Sequence, residues 1–334
     1  MIKKSFFIIF LIWVNSIFAF NGIKSDTLFK PSRIIDSLVF SEKLDWSVRL
    51  VSNFKQQRFR IGDEDETMKY IPNNPFGVGF GIANQKLVID IVFNIKGTEK
   101  KEEQTEKFAA EGALIIKKNN YFSFILENVH GHNVSNSYND LEEFREDISL
   151  LSVGLNYLRI FNKNNISIRD LKSGLRSFDK TTFTFGIGGF FIVHTLNSDG
   201  SIIPNDLLPL FNEEAQITKV SALGVGMLTG ISAYFKLPAN FFAAFYIAPG
   251  VGLEYKKIHT ETDKYIPSNP LLYKTDLFGS VGYNKKQFYI NFTFATNIYA
   301  TSFDFDNKGV LSVTKSKLIL GYNIGKITLP RKIF

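Results

Sequence analysis

The chain has 334 residues, a formal net charge of +7 and no cysteine. The lack of cysteine excludes disulfides, thiolate metal sites and the lipid attachment site of a lipoprotein, and the scattered basic residues argue against a nucleic-acid-binding protein. A mean hydropathy of zero together with 34 Phe and 13 Tyr favours a β-barrel with lipid-facing walls over a soluble sandwich.

Residues 1–19 have the pattern of a cleavable signal peptide. Lys3 and Lys4 form the basic region, residues 6–14 form the apolar region, and Ala19 ends a cleavage site. Because the apolar run is shorter than the ~20 residues that a spanning helix needs, cleavage is favoured over an uncleaved anchor. Cleavage would leave a net charge of +5, since two of the excess positive charges are those lysines. Residues 20–43 lack alternation and are interpreted as an N-terminal lead-in.

Alternating runs typical of β-strands begin at Trp46. In the first run Trp46, Val48, Leu50 and Phe54 are expected on one face, with Ser47, Arg49, Asn53 and Lys55 on the other. Further runs are predicted at 76–82, 87–95, 108–116, 121–127 and 148–161. Between the last two, residues 129–147 are predicted to form a long polar loop.

A clear hairpin spans residues 220–255, with a tight turn at 237–240, and the runs at 76–82 and 87–95 form an equally clear one. Large residues such as Leu223 and Met227 alternate with Ala222 and Gly224 on the first arm, and the second arm continues the pattern. Such alternation over more than ten residues is typical of a membrane-spanning β-hairpin. The remaining runs lie at 182–193, 271–283, 288–300 and 310–324.

The number of strands follows from the lengths of the connections. Counting residues 166–178 gives thirteen runs, whereas a closed single-chain bacterial barrel has an even number. Short turns at Asn84, Asn119, Pro238 and Lys285 stay in phase on the periplasmic side only if 162–180 is not a wall strand. The sequence therefore predicts an all-β fold, a transmembrane antiparallel up-and-down β-barrel of about twelve strands over residues 44–324, with long extracellular loops and short periplasmic turns. Fourteen strands, with an added early strand, is the alternative, and residues 325–334 form a C-terminal tail.

Three short motifs stand out along the chain: residues 70–73 followed by Gly77-Val78-Gly79, residues 161–169 leading to 185–191, and Gly282-Tyr283-Asn284 before Phe288-Tyr289. In these motifs the chain resembles a Bacteroidota family of outer-membrane β-barrels without an assigned function, domain of unknown function family 4421. The resemblance covers about residues 44–324. It implies a secreted outer-membrane barrel and supplies no catalytic residues.

Charges on the polar parity of the strands are the candidate functional residues. They are Arg49, Asp90, Lys96, Glu111, Glu127, Glu254, Lys274, Asp276, Lys315 and Lys317. In a narrow lumen, charges of both signs are expected either to pair as a plug or to line a permeation path. Twelve strands leave little free bore, which favours the plug.

Two other kinds of site are weighed against ordinary loop residues. His130, His132, His194 and His259 fall in or next to predicted extracellular loops, and His130 with His132 could offer two metal ligands but no fixed third one. Ser135 and His132 could form a hydrolase pair, but a nucleophile needs its base within hydrogen-bond reach and a group that orients the base. We expect no metal, no cofactor and no enzymatic activity.

The sequence thus predicts an outer-membrane barrel with a structural or small-solute role, with a porin or transporter and a phospholipase-like hydrolase as alternatives. The expected partners are the lipid bilayer with its lipopolysaccharide and the outer-membrane insertion machinery, and nucleic acid is not expected. Phe334 fits the terminal aromatic residue that such machinery recognises, although Pro330, Arg331 and Lys332 interrupt the alternation before it. The oligomeric state stays open.

Overall fold

Strands built from alternating large apolar and small or polar residues dominate the structure. The computed structural model describes residues 45–62, 67–84, 87–95, 104–116, 119–136, 138, 142–161, 180–285 and 287–326. The strands are β1 Asp45–Gly62, β2 Thr67–Ile71, β3 Phe76–Ala83, β4 Leu87–Asn94, β5 Glu106–Ile116, β6 Asn120–Asn136, β7 Glu142–Phe161, β8 Thr182–Asn197, β9 Ile217–Lys236, β10 Phe241–Thr260, β11 Lys264–Tyr265, β12 Leu271–Lys285, β13 Phe288–Ser302 and β14 Lys308–Lys326. Short 3-10 helices span Asn205–Leu210, Glu213–Ala215 and Pro238–Asn240. No described helix has the length and apolar character needed to cross a membrane.

Twelve of these strands form one closed antiparallel ring. The order around the ring is β1, β3, β4, β5, β6, β7, β8, β9, β10, β12, β13, β14 and back to β1. The ring closes where β1 pairs with β14, from Asp45 opposite Lys326 to Gly62 opposite Lys308. Outside the ring order, β2 pairs with β1 and β6, and β11 pairs with β10. The predicted twelve-stranded up-and-down barrel is confirmed.

The two ends of the barrel differ in the connections they carry. One end, here called the turn end, holds Asp45, Lys326 and the short connections β3–β4, β5–β6, β9–β10 and β12–β13. The opposite end, here called the loop end, holds the connection of residues 198–216 between β8 and β9 and that of 261–270 around β11. β7 pairs directly with β8. The run at 166–178, which the sequence excluded from the wall, lies outside the described residues.

Alternation places the large apolar side chains outside. Met227 is 68% exposed and Phe292 48% exposed, whereas their neighbours Leu228 and Asn291 face inward and are buried. Trp46 is the exception to the prediction, because it is buried rather than outward. The register between β1 and β14 shifts between Trp46 and Ser47, so the alternation changes phase there.

The predicted polar loop at 129–147 is wrong, because β6 and β7 together cover most of it. A bulge interrupts β6 between His130 and His132, and Gly131 between them has a φ of 85°. A bulge breaks the period of two on which strand prediction rests. β2 was also not predicted, because its five residues are too few to show a period. It pairs with β1 and with β6 on the loop-end side of β3, β4 and β5.

The barrel lies in one compact unit, Leu44–Ile327. β14 runs two residues into the predicted C-terminal tail at 325–334. The predicted signal peptide (1–19), the lead-in (20–43) and residues 327–334 lie outside the described residues.

Candidate functional site in the barrel lumen

The inward side chains change character from the turn end to the loop end. Along β1 they begin with Ser47 and Arg49, pass through Lys55, and end with the apolar Phe59 and Ile61. The charged side chains at the level of Lys55 and Arg49 come from β1, β4, β5, β6, β12 and β14, whereas β7 and β9 contribute uncharged residues such as Gly154 and Leu228. We call this level of the lumen the charged middle.

A network of five charges occupies one side of the charged middle. The Nε of Arg49 lies 3.1 Å from Asp90 Oδ1, and Lys317 Nζ lies 3.1 Å from Asp90 Oδ2. Glu111 pairs with both Lys315 and Lys317. The members come from β1, β4, β5 and β14. Sequence-distant strands are thus tied together inside the ring where β1 and β14 close it.

A separate ion pair lies on the same side of the lumen as this network, nearer the loop end. Lys55 Nζ is 3.1 Å from Glu127 Oε1, and Glu127 is 0% exposed. Lys107 reaches from β5 to β1, where its Nζ donates to the backbone oxygen of Lys55 at 3.1 Å. With the network above, this side of the lumen holds Arg49, Lys55, Lys107, Lys315 and Lys317 against Asp90, Glu111 and Glu127. The charges sum to an excess of two positive charges.

The opposite side of the lumen holds a balanced pair on β12. Lys274 pairs with Asp276, whose Oδ2 also accepts from Asn156 Nδ2 at 3.1 Å. Lys274 Nζ lies 5.5 Å from the ring centroid of Phe190 and 5.3 Å from that of Tyr299. Aromatic faces attract a cation, so this ammonium is held both by a carboxylate and by two rings.

A further ion pair lies on β10 towards the loop end. Lys256 Nζ is 3.5 Å from Glu254 Oε2, and it donates to Asn269 O at 2.9 Å and to Thr301 Oγ1 at 2.7 Å. Both side chains are buried. The ammonium therefore fastens the connection of 261–270 to the barrel wall.

The structure places nine of the ten predicted lumen charges inside the barrel, each within an ion pair, and Lys96 lies outside the described residues. Sequence reasoning missed Lys256 and Lys107 in naming these candidates. Lys256 shares the parity of Glu254 on β10, which was a usable signal. Lys107 precedes the predicted start of its strand at Phe108, so its parity was not read.

A cavity of about 130 Å³ lies between the two sides of the charged middle. Its lining combines charged and aromatic side chains, among them Arg49, Asp90, Glu111, Tyr121, Tyr246 and Asp276. A volume of this size is close to that of an engineered protein cavity, about 150 Å³, that binds benzene. The lumen thus has room for a small molecule or several waters.

Apolar residues close the lumen at the loop end. The connection 198–216 buries Ile202, Ile203 and Leu207 in the same cluster as Ile148 and Tyr70. Tyr70 Oη also donates to the backbone oxygen of Ile202 at 3.2 Å. We call residues 198–216 the cap; it covers the charged middle with hydrophobic contacts.

Aromatic and hydroxyl side chains fill the turn end. The rings of Tyr234 and Phe242 stack with centroids 5.7 Å apart, and Tyr289 Oη lies 2.8 Å from Ser47 Oγ. Ser280 Oγ donates to Asn291 Oδ1 at 2.6 Å. The described side chains leave the cavity as a chamber between two filled layers.

An ion pair on β7 fastens the cap; it lies on the loop-end side of the exposed apolar residues of that strand. Arg145 donates to Asp147 through Nε at 2.7 Å and Nη2 at 2.8 Å, and to Ser201 O at 3.1 Å through Nη1. Asp147 in turn accepts from Asp199 N at 3.1 Å. The hydrogen bonds from Arg145 lower the pKa of Asp147 below its ordinary value, against the smaller raising effect of burial.

This depressed pKa predicts that the cap loosens in acid. A carboxyl with a lowered folded pKa stabilises the fold above its unfolded pKa, and that stabilisation is lost as the pH falls through the folded value. We expect faster amide hydrogen exchange in 198–204, relative to the barrel strands, as the pH falls below about 4. Asp147→Asn should show the faster exchange already at neutral pH. Equal protection of this segment in both proteins at neutral pH would contradict the prediction.

The histidines lie on strands rather than in loops, so the expectation of solvated loop histidines is wrong for His132, which is buried. His132 is buried in β6 with Nδ1 3.1 Å from Ile148 O. His194 faces the lumen, with its ring edge-on to Tyr299 at 5.4 Å. Among the described residues, no three of His, Asp or Glu are arranged to hold a metal ion.

The hydrolase alternative gains no support from the geometry. Ser135 and His132 are three residues apart on β6, so their side chains point to opposite faces. A different serine–histidine contact exists, with Ser152 Oγ 3.2 Å from His194 Nδ1. Ser152 is 0% exposed, and the other ring nitrogen of His194 has no hydrogen-bond partner among the described residues. No described residue therefore orients the base.

Comparisons with known proteins identify the family of the chain and find solved outer-membrane proteins with low similarity to it. The family model described as "Domain of unknown function (DUF4421)" matches residues 36–323, and no curated protein sequence matches the chain. The chain is similar to the crystal structure of the outer-membrane protease OmpT from Escherichia coli, with 8% identity, a TM-score of 0.39 and coverage of 86% of this chain and 99% of that one. It is also similar to the β domain of the Bordetella autotransporter BrkA, with 9% identity, a TM-score of 0.35 and coverage of 84% and 99%. An outer-membrane channel from Pseudomonas putida F1 gives 7% identity, a TM-score of 0.26 and coverage of 89% and 100%. At these scores the likenesses carry no inference about activity.

Proposed function

We propose that this chain, which belongs to the DUF4421 family, is an integral β-barrel of the bacterial outer membrane whose lumen is closed and serves a structural or small-solute role. The observation that carries the proposal is the combination of an apolar outer wall with a charged, ion-paired interior. Each half of this combination supports a separate part of the proposal.

The outer wall supports membrane insertion. Large apolar side chains such as Leu50, Met227, Phe245 and Phe292 are exposed on strands all around the ring. In water this surface would be an extensive hydrophobic patch, far above what a monomeric soluble protein exposes. In a bilayer the same surface is in contact with acyl chains, and the pairing of β1 with β14 joins the first and last strands of the sheet. The predicted signal peptide would deliver the chain across the inner membrane, and lipids would be its direct partners.

The interior supports a closed barrel rather than an open porin. The lumen charges pair with each other, the cap covers them at the loop end, and aromatic residues fill the turn end. Water-filled channels belong to wider barrels, and small barrels fill their interiors with side chains. The chamber of about 130 Å³ supports a small-solute role.

Single-channel recording of the mature chain tests the closed lumen. The protein is refolded into planar bilayers, with strand protection against protease as the measure of insertion. We expect a flat current trace from the inserted protein over the voltage range in which the bilayer is stable. Reproducible conductance steps that depend on the inserted protein would replace this proposal by the porin alternative.

A further inference from the structure

The wall of the barrel is weakest between β4 and β5. These strands pair at only four positions, residues 87–90 with 111–114, near the turn end. Beyond that point β4 still pairs with β3 along its other edge, and β5 still pairs with β6 along its other edge. The facing edges of 91–94 and 106–110 are not paired with each other. The next shortest ladder of the described ring, β3 with β4, has seven positions, and the other ladders are longer.

Unpaired strand edges are unfavourable in hydrocarbon, because no water is present there to hydrogen-bond the unsatisfied backbone groups. Exposed apolar side chains flank these edges on the outside, including Ile91, Phe93 and Phe108. The gap therefore combines an apolar entrance with backbone donors and acceptors that a polar group could use.

The lumen cavity reaches this junction. Its lining includes Val88 and Asp90 from β4 and Glu111, Gly112 and Ala113 from β5. Asp90 and Glu111 form the last pair of the four-position ladder. The chamber and the gap in the wall are thus next to each other.

One aromatic ring covers the wall at this place. A Cβ added at Gly112 would overlap the ring of Phe124, so that ring occupies the space in which a side chain of residue 112 would lie. Phe124 is 38% exposed on the outer wall and also lines the cavity. The same side chain therefore contacts both the lipid side and the chamber.

The chamber favours an anion with an apolar body. Arg49, Lys315 and Lys317 line it against Asp90 and Glu111, and its other acid, Asp276, is already paired with Lys274. The Nη1 of Arg49 is buried and makes no hydrogen bond within the described part of the chain. Aromatic and aliphatic side chains supply the rest of the lining. Ligand sites typically combine such apolar walls with a few convergent polar groups.

We propose that this chamber binds a small carboxylate with a single ring or a short alkyl chain, and that the ligand enters from the bilayer between β4 and β5 past Phe124. The inference rests on the proposed function, because entry from the bilayer requires an inserted barrel. The carboxylate pairs with the excess cationic charge beside Arg49, and the ring or chain occupies the aromatic part of the chamber.

Fluorine NMR of the full mature chain in detergent micelles tests the site, with 4-fluorobenzoate as the probe and empty micelles as the blank. We expect saturable shift changes with 4-fluorobenzoate, and at least tenfold weaker binding of the uncharged 4-fluorobenzyl alcohol. Ala295→Phe, which fills the chamber, should abolish binding, whereas the matched lipid-facing variant Ala243→Phe should bind as the wild type does. Equal affinity for both probes, or binding that survives Ala295→Phe, would overturn the site. A chamber that holds only water would give no shift with either probe, which also overturns it.

The route is tested by rates. Phe124→Ala removes the covering ring, so association and release of 4-fluorobenzoate should both accelerate at least tenfold. The lipid-facing control Phe292→Ala should leave both rates unchanged. Unchanged rates in Phe124→Ala would place the entrance elsewhere and refute the lateral route. A barrel that inserts and stays electrically closed but binds no probe refutes this inference alone, whereas conductance or failure to insert refutes the proposed function.

Discussion

Replacing Asp90 with alanine is expected to lower the free energy of unfolding by about 3–5 kcal/mol, because removing one partner of a buried ion pair leaves an uncompensated charge. Asp90 is buried and faces two cations, Arg49 and Lys317, both within 3.2 Å of its carboxylate. Its loss leaves both with less opposing charge in a lumen that already has a cationic excess. No other described carboxylate contacts Arg49.

Urea unfolding in phospholipid vesicles measures this effect, and the chain supplies its own reporter. Of its two tryptophans, Trp13 lies in the predicted signal peptide, so Trp46 on β1 is the fluorophore of the mature chain. Asp263→Ala, in the exposed connection 261–270, is the matched control and should leave the unfolding midpoint unchanged. A change in Asp90→Ala as small as that of the control would show that the lumen charges are solvated rather than buried.

Phe292→Arg is expected to destabilise the inserted barrel by about 2–4 kcal/mol, the cost of a lipid-facing arginine near the bilayer midplane. Phe292 lies on the outer face of β13, between Ile290 and Phe294, which are also exposed. An arginine there would have to reach an interface or draw water into the hydrocarbon. The expected result is a lower urea midpoint or a lower yield of insertion into vesicles.

The same substitution farther along the strand is the control. Ile298 takes the outward parity of β13 but lies towards the loop end. Near an interface a lipid-facing arginine costs only about 0–1 kcal/mol, so Ile298→Arg should insert nearly as well as the wild type. Equal losses at 292 and 298 would mean that the wall has no depth-dependent apolar belt.

Periodicity alone predicted the wall of the barrel. Leu223 and Met227 against Ala222 and Gly224 assigned the two faces of β9, and an even strand number with short turns gave twelve strands. These features are local, because each depends on neighbouring residues and on the pleat of a single strand. The inward parity of the lumen charges followed from the same rule.

The pairing of those charges was not predictable from sequence. Glu111 and Lys315 are 204 positions apart in the sequence, and they meet because the ring closes between β1 and β14. Register across a ladder depends on which faces are buried and on the turns, so it cannot be read from isolated strands. The bulge at Gly131 and the cap over the lumen were missed for a related reason: neither follows a period of two.

Nitroxide labels at successive positions along β13, from 288 to 294, test the central claim most directly, and the cysteine-free chain makes each engineered label unique. We predict that labels at 288, 290, 292 and 294 collide freely with dissolved oxygen and hardly at all with a water-soluble nickel complex, as lipid-facing sites do. Labels at 289, 291 and 293 should be shielded from both reagents. Collision with the nickel complex at every position, without alternation, would contradict a membrane-inserted barrel with a closed lumen.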